Sequence, residues 1–275
     1  MEPADFARLA QLEEGRIARG VRLLARDSID VAGGVACCNE PGWWLNAAFA
    51  CGLSSPASAQ DLDTIIDFFR TRSVEPRVET APFVERPFLD ALANRGFVIR
   101  HFENVFYRPL EPGETPAPAR TPPPGLTLEI VDPTDERAVD QFARVATSGF
   151  LPEGVSEWPE HMLESVRTLA RLPRNIPCRA MLEGRCVAAG SIEIDGPIAS
   201  LQGVSVLPEA RRQGVQSALV AFRLAEAARR GARIATISSR PGVATERNAQ
   251  RAGFRVAYTK VTLVRPEPGM IPAME

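Results

Sequence analysis

The sequence predicts an α/β (α+β) fold used twice: two domains, each a mixed and mostly antiparallel sheet flanked by helices. Three observations carry that reading. Segments with strand-like alternation and segments with helical periodicity take turns along the chain. A proline-dense stretch interrupts them at 111–125. The end of the first half returns in the end of the second at an offset of 157 residues.

The chain has 275 residues, 45% hydrophobic and 24% charged, which is ordinary for a globular protein and leaves room for two domains of about 100–150 residues. A net charge of -2 supplies no general basic field, so neither nucleic acid nor a membrane surface is expected as a partner. No apolar run reaches the roughly 18 residues of a spanning helix. The opening MEPADFARLAQLEEGR is acidic and amphipathic and lacks the basic and apolar regions of a secretory signal, so a cytoplasmic location is expected. Cys37, Cys38, Cys51, Cys178 and Cys186 are odd in number and form no CxxC, which reads as reduced, packed thiols. His101 and His161 stand far apart with no ligand cluster, and no metal is expected. Lys260 is the sole lysine among 32 basic residues, a bias that points to a GC-rich bacterial genome.

The second half reads element by element. Leu126–Val131 alternates as a strand, and Thr134 or Asp135 caps a helix reaching about Thr147. An amphipathic helix follows over Pro159–Leu172. Strands at Cys178–Leu182 and Val187–Ile194 are joined hairpin-fashion by Glu183-Gly-Arg185, and another strand covers Ala199–Val206. A helix over Val215–Arg230 sets Val215, Leu219, Phe222 and Glu226 along one side, with alanines that allow close packing on a sheet. Arg233–Ser238 is a strand, Thr245–Ala252 a short helix stopped by Gly253, and Phe254–Val264 a final strand pair or one long strand.

Glu111 to Gly125 carries six prolines and two glycines in 15 residues, a density that suits a semi-rigid extended linker and neither a helix nor a central strand. The expected division is therefore 1–110, a linker at 111–125, and 126–275.

The most informative stretch is Val204 to Ser217, where a strand ends, a proline turn follows, and an Arg-rich loop with one glycine opens a long helix. The first amides of that helix have no intrahelical acceptor and sit at the positive end of its dipole, which suits a diphosphate. Gly214 permits close approach or a positive φ, and Arg211 and Arg212 supply charge. An R-x-x-G before a helix also fits a plain turn with solvated arginines.

The strand Leu201-Gln-Gly-Val-Ser-Val206, the loop through Leu219 and the short helix Thr245 to Phe254 with its Gly-Phe end together resemble the GNAT superfamily of acyl-CoA-dependent N-acetyltransferases. The likeness covers about 126–266. Of the family pattern [Q/R]-x-x-G-x-[G/A], Arg211 and Gly214 match, while Gln216 departs at the last position and must turn its longer side chain away from a pyrophosphate. The resemblance implies a splay between the strands at 201–206 and 233–238 that accepts the pantetheine of acetyl-CoA. Backbone groups of Val204, Ser205 and Val206 would pair with it, and one N–H would polarise the thioester carbonyl. It further implies that Arg211, Arg212, Gln213, Gly214, Val215, Gln216 and Ser217 hold the pyrophosphate and that Asn248 bonds the pantetheine or adenosine side.

Acyl transfer needs an amine stripped of a proton and a departing thiol. The family's usual tyrosine position is Ala249 here, and its strand glutamate position is Ser200. Glu193, acting through a water, and Tyr258 are the candidate catalytic residues. The acceptor is expected to be an amine of a small molecule or peptide, with the protein a monomer or homodimer. The other reading is a non-catalytic acyl-CoA-binding regulator or decayed pseudo-enzyme, suggested by Gln216, Ser200 and Ala249.

In the first half, Ala93–Ile99 parallels Gln250–Val256 and Arg108-Pro109 parallels Arg265-Pro266. Upstream, Val31–Cys37 and Ala47–Leu53 read as strands, Ala59–Thr71 as a helix, Arg77–Thr80 as a strand and Pro87–Asn94 as a helix. Between Leu53 and Asp61 neither arginine nor glycine occurs. The first half therefore looks like a degenerate copy without a phosphate loop, as in tandem proteins of this family. Trp43, Trp44 and Trp158 are candidates to line an acceptor pocket.

Overall fold

The computed structural model describes residues 3–151 and 154–273. In chain order the elements are α1 (Pro3–Leu24), β1 (Asp27–Val31), β2 (Gly34–Cys38), β3 (Ala47–Phe49), α2 (Ala59–Arg70), β4 (Arg77–Thr80), α3 (Arg86–Asn94) and β5 (Val98–Pro109). They continue with β6 (Thr127–Ile130), α4 (Glu136–Thr147), α5 (Glu160–Arg171), β7 (Asn175–Leu182), β8 (Arg185–Asp195), β9 (Ile198–Val206), α6 (Val215–Arg229), β10 (Ile234–Ser239), α7 (Ala244–Arg251) and β11 (Arg255–Val264). At the offset of 157 the elements β3, α2, β4, α3 and β5 fall on β9, α6, β10, α7 and β11, so the repeat read at the domain ends extends through most of each copy.

The chain forms two compact units. One holds the residues up to Val105, Ser239–Pro241 and the chain from Val256 onward; the other holds Phe106–Ser238 and Gly242–Arg255. A division at the proline segment expects 256–273 to stay with the second half, yet β11 pairs antiparallel with β4 (Val261 opposite Thr80, Val264 opposite Arg77). Strand pairing, rather than chain proximity, decides where that strand belongs. Likewise the proline segment lies wholly within the second unit.

The first unit's strands run β1-β2-β3-β4-β11-β5. Two of its elements differ from the sequence expectation. The strand expected at 31–37 is a strand only from Gly34, as β2, because Ala32 and Gly33 both take positive φ (50° and 73°) and reverse the chain between β1 and β2. The strand expected over 47–53 stops at Phe49, since Ala50 and Gly52 are also left-handed. The core under the sheet gathers Leu62, Ile65, Ile66 and Phe69 of α2 with Phe88 and Leu92 of α3.

The second unit's strands run β6-β7-β8-β9-β10, all antiparallel except the β9–β10 pair. A two-residue turn with Glu183 and Gly184 at positive φ joins β7 to β8. Asp135 caps α4, its carboxylate accepting from the Ala138 N–H at 3.0 Å. On one sheet face α6 buries Val215, Leu219 and Leu224 against Ile176, Ile192 and Leu201, and on the other α4 buries Val139 and Phe142 against Ala189. Phe254–Val264, open between a strand pair and one strand, is the single strand β11 from Arg255.

Burial shapes the ionisable groups of each unit. Lys260 on β11 lies within 3.3 Å of Glu79 and Glu103 and 3.6 Å of Glu14. Burial alone would release its proton, but the carboxylates outweigh it and hold the ammonium well above its usual range. Burial drives Glu14 up, only partly offset by Lys260. Replacing Lys260 with Met strands these carboxylates without a cation, and we expect a loss of about 3–5 kcal/mol in denaturant unfolding.

In the second unit Glu226 accepts from Arg229 (2.6 and 2.8 Å) and Arg230 (2.5 Å), and its pKa falls below the usual 4.5 chiefly through the Arg229 bond. A carboxylate with a lowered folded pKa stabilises above its unfolded value and loses that contribution as pH falls. Glu226→Gln should therefore cost about 0.5–1 kcal/mol at neutral pH. The difference in melting temperature between variant and parent should shrink as pH drops below 4.5.

Candidate functional site

The site is built where β9 and β10 part. Their parallel pairing covers only Ile198–Ser200 against Ile234–Thr236. Beyond Ser200, β9 stays with β8, where the register slips between Ala189 and Ser191 and Gly203 takes φ +52°. Ser205 ties this stretch to the end of α4: its hydroxyl donates to Ala146 O (2.8 Å) and accepts from Gly149 N–H (3.0 Å). The side chain of Ser205 is thus engaged on that face, and Val206 is buried in the core. Val204 packs half-buried against the same core.

After β9 a single 3-10 turn (Pro208–Ala210) leads into the loop that opens α6. Arg211 turns back, its Nε donating to Val206 O at 2.9 Å, and Gln213 Nε2 donates to Glu209 O at 2.8 Å. Both side chains therefore brace the loop. Arg212 is exposed with φ +63°, a costly conformation for a residue bearing a Cβ. Gly214 caps the helix at φ +82°, and no side chain accepts from the first turn. Ala218 N–H closes that turn on Gly214 O (3.0 Å), so the amides of Val215, Gln216 and Ser217 precede the intrahelical ladder.

Three features near this helix end were not legible in the motif. Gln216 reaches α7, where its Oε1 accepts from Asn248 Nδ2 at 2.8 Å. The longer side chain is thus turned aside, and the Asn248 amide expected for a ligand is engaged by it. The proline segment also arrives here: Arg120 N–H donates to Ser217 Oγ at 3.1 Å, and a Cβ at Gly214 would collide with the Thr121 carbonyl oxygen. Farther along, the buried Arg223 of α6 donates from Nη1 to Ser191 O (3.1 Å) and Gln202 O (3.2 Å). Burial without a carboxylate lowers its pKa to about 10.

The two candidate catalytic residues fare differently. Glu193 is buried on β8 directly opposite Ser200 of β9. Its carboxylate accepts from Gln202 Nε2 at 3.1 Å and lies 3.3 Å from Arg174. Tyr258 belongs to the first unit, because β11 joins that sheet. Its hydroxyl donates to Glu14 Oε1 at 2.7 Å, and its ring meets Phe83 edge-on at 5.7 Å. Burial and the Glu14 carboxylate raise its pKa well above 10, and its hydroxyl is engaged within the first unit. The tyrosine that the second unit does contain is the buried Tyr107. Of the tryptophans, Trp158 donates Nε1 to Thr147 O (3.1 Å) and pins its loop to α4, while Trp43 is buried in the first unit.

The equivalent helix of the first unit is closed. Ser58 caps α2, its Oγ accepting from Asp61 N–H at 3.1 Å while the Asp61 carboxylate accepts from Ser58 N–H at 2.8 Å. These bonds from Ser58 hold Asp61 below its usual pKa, and the resulting negative charge repels an anion where α6 offers bare amides. Among the described residues no His, Cys, Asp and Glu group could hold a metal ion, and no helix is long and apolar enough to cross a membrane.

Comparison with known proteins agrees with this geometry. Residues 141–254 match the profile of the Acetyltransferase (GNAT) family. Among solved structures, a GCN5-related N-acetyltransferase from Kribbella flavida is similar over 95% of both chains at 21% identity, with a TM-score of 0.65. Another from Sphaerobacter thermophilus shares 16% identity over 98% of this chain and 96% of its own (TM-score 0.58). A tandem GNAT protein from the clavulanic acid biosynthesis pathway shares 13% identity over 75% and 67%, respectively (TM-score 0.55). No curated protein shows a significant sequence match. The splayed strands, the uncapped helix and the match to the GNAT family profile fall on the same segment of the second unit.

Proposed function

We propose that the second unit transfers an acetyl group from acetyl-CoA to an amine of a small molecule or peptide, both substrates being bound together. The observation that carries this reading is the gap beside β9 beyond Ser200, which ends at a helix whose first amides have no side-chain cap. An extended amide-bearing chain fits the gap by strand-like pairing, and a diphosphate fits the helix end. Val215, Gln216 and Ser217 would supply amides and Arg212 a mobile charge, whereas Arg211, Gln213 and Asn248 act through the bracing bonds described above.

Acetyl-CoA supplies an activated thioester. The chain's part is to orient it and to handle protons. An amine nitrogen bonds to the carbonyl carbon as the carbon–sulfur bond breaks. One proton of the ammonium form leaves before attack, through a water to Glu193, and a second leaves the nitrogen for solvent after the new bond forms. Glu193 is held for this task by Arg174 and Gln202. Without a tyrosine acid in place, sulfur leaves as thiolate, which a thiol's moderate acidity allows.

Two measurements test the reading. Acetyl-CoA should raise the melting temperature, and a panel of primary amines should include at least one that releases free thiol. Binding without release for any amine would favour a regulator over an enzyme. Gly214→Val forces a Cβ onto the Thr121 carbonyl and into a left-handed backbone, and it should cut acetyl-CoA affinity at least tenfold. Unchanged affinity in calorimetry would remove the loop from the proposed site.

A further inference from the structure

Arg223 is only 1% exposed, and its hydrogen-bond acceptors among the described residues are all backbone carbonyls: Ser191 O, Gln202 O and, at 3.4 Å, Leu219 O. A buried cation with no carboxylate beside it is expensive, and the surrounding core of Leu219, Leu224 and Ala227 would accept an apolar side chain readily. The first unit shows that alternative. At the offset of 157, Ile66 of α2 takes this position, 3% exposed, in the copy whose helix end is closed by Ser58 and Asp61. The arginine thus accompanies the open helix end, and the apolar residue accompanies the closed one.

Its location explains why. Nη1 reaches carbonyls of both β8 and β9, so the guanidinium sits at the seam of these strands where their register slips. Gly190 leaves room for it: a Cβ there would lie 2.9 Å from Nη1. Because a trans peptide points its C=O and the following N–H in opposite directions, drawing the Gln202 carbonyl toward β8 turns the Gly203 N–H away from β8. The open edge that β9 presents after parting from β10 lies on that side.

We infer that Arg223 is a positioning residue for acyl transfer, fixing the Gln202–Gly203 peptide so that the Gly203 N–H donates to the thioester carbonyl of the bound acyl donor. The inference rests on the acetyl-CoA reading above. Arg223 touches no reacting atom; it acts through the peptide it holds, and the oriented N–H stabilises the charge that grows on the carbonyl oxygen.

Comparison of acetyl-CoA with free CoA tests this, since free CoA lacks the carbonyl. Arg223→Met should weaken acetyl-CoA about tenfold in calorimetry, the loss of one hydrogen bond, while CoA affinity stays within about twofold. The bound [1-13C]acetyl-CoA carbonyl stretch, lowered in the parent protein, should return toward its free value. Arg223→Ile, which installs the residue that the first unit carries at the equivalent position, should reproduce the same selective loss if Arg223→Met fails to fold. Equal losses for both ligands, or an unmoved stretch, would overturn the positioning role and leave Arg223 structural. A parent protein that binds neither ligand would overturn the acetyl-CoA reading itself, and the inference with it.

Discussion

The parallel ladder between β9 and β10 ends after Thr236, and the second unit is organised around what draws β9 away from it. Backbone N–H and C=O groups on a strand edge need partners, so a strand leaves its neighbour only when something else anchors it. Here the anchors lie on the β8 side. The Ser205 hydroxyl joins β9 to Ala146 and Gly149, Ser205 pairs with Ala189, and the Arg223 guanidinium bridges the seam one turn of strand earlier. Each bond is ordinary alone. Together they commit the second half of β9 to β8 and leave its other edge unpaired, which is the arrangement an extended ligand can complete.

The two copies of the fold separate what the scaffold requires from what the site requires. Both contain the strand, helix, strand, helix, strand order at the same offset, so none of these elements is specific to the site. What differs is the helix end and the residue two turns inside it. α2 gains a side-chain cap worth about 1 kcal/mol and an apolar core residue, whereas α6 forgoes the cap and buries a charge. Both departures on α6 cost stability. Their coincidence in one copy, at the edge where β9 is unpaired, is difficult to attribute to packing.

The elements with strong periodicity were legible: the helices at 136–147, 160–171 and 215–229 differ from the sequence reading by two residues or fewer at their ends. The hairpin at Ala32-Gly33 was not, because a run of small and β-branched residues hides a turn that only positive φ reveals. The loop at 211–217 was found by its motif, but the partners of Arg211, Gln213 and Asn248 are set by backbone geometry that no motif encodes. The sheet that Tyr258 joins was not legible for a different reason. A strand near the chain end pairs with whichever edge it meets, and β11 meets β4, far away in sequence. For Arg223 a signal existed: Val215, Leu219 and Arg223 follow at helical spacing on the buried side of α6, and a charge within an apolar stripe asks for a reason.

The proline segment changes the meaning of Gly214. Rather than hanging free, it runs along α6 within the second unit: Glu114 pairs with Arg108, Gly113–Thr115 border a cleft with Phe222 and Arg229, and Arg120 reaches Ser217. Proline suits that course, since a strap lying on a helix surface finds few acceptors and proline brings no N–H to satisfy. Gly214 is then required twice by the fold alone, by its φ of +82° and by the Thr121 carbonyl packed against it. Close approach of a phosphate is no longer needed to explain the glycine. The weight of the site therefore shifts to features the fold does not demand: bare amides where Ser58 caps the other copy, and a buried arginine where the other copy keeps isoleucine.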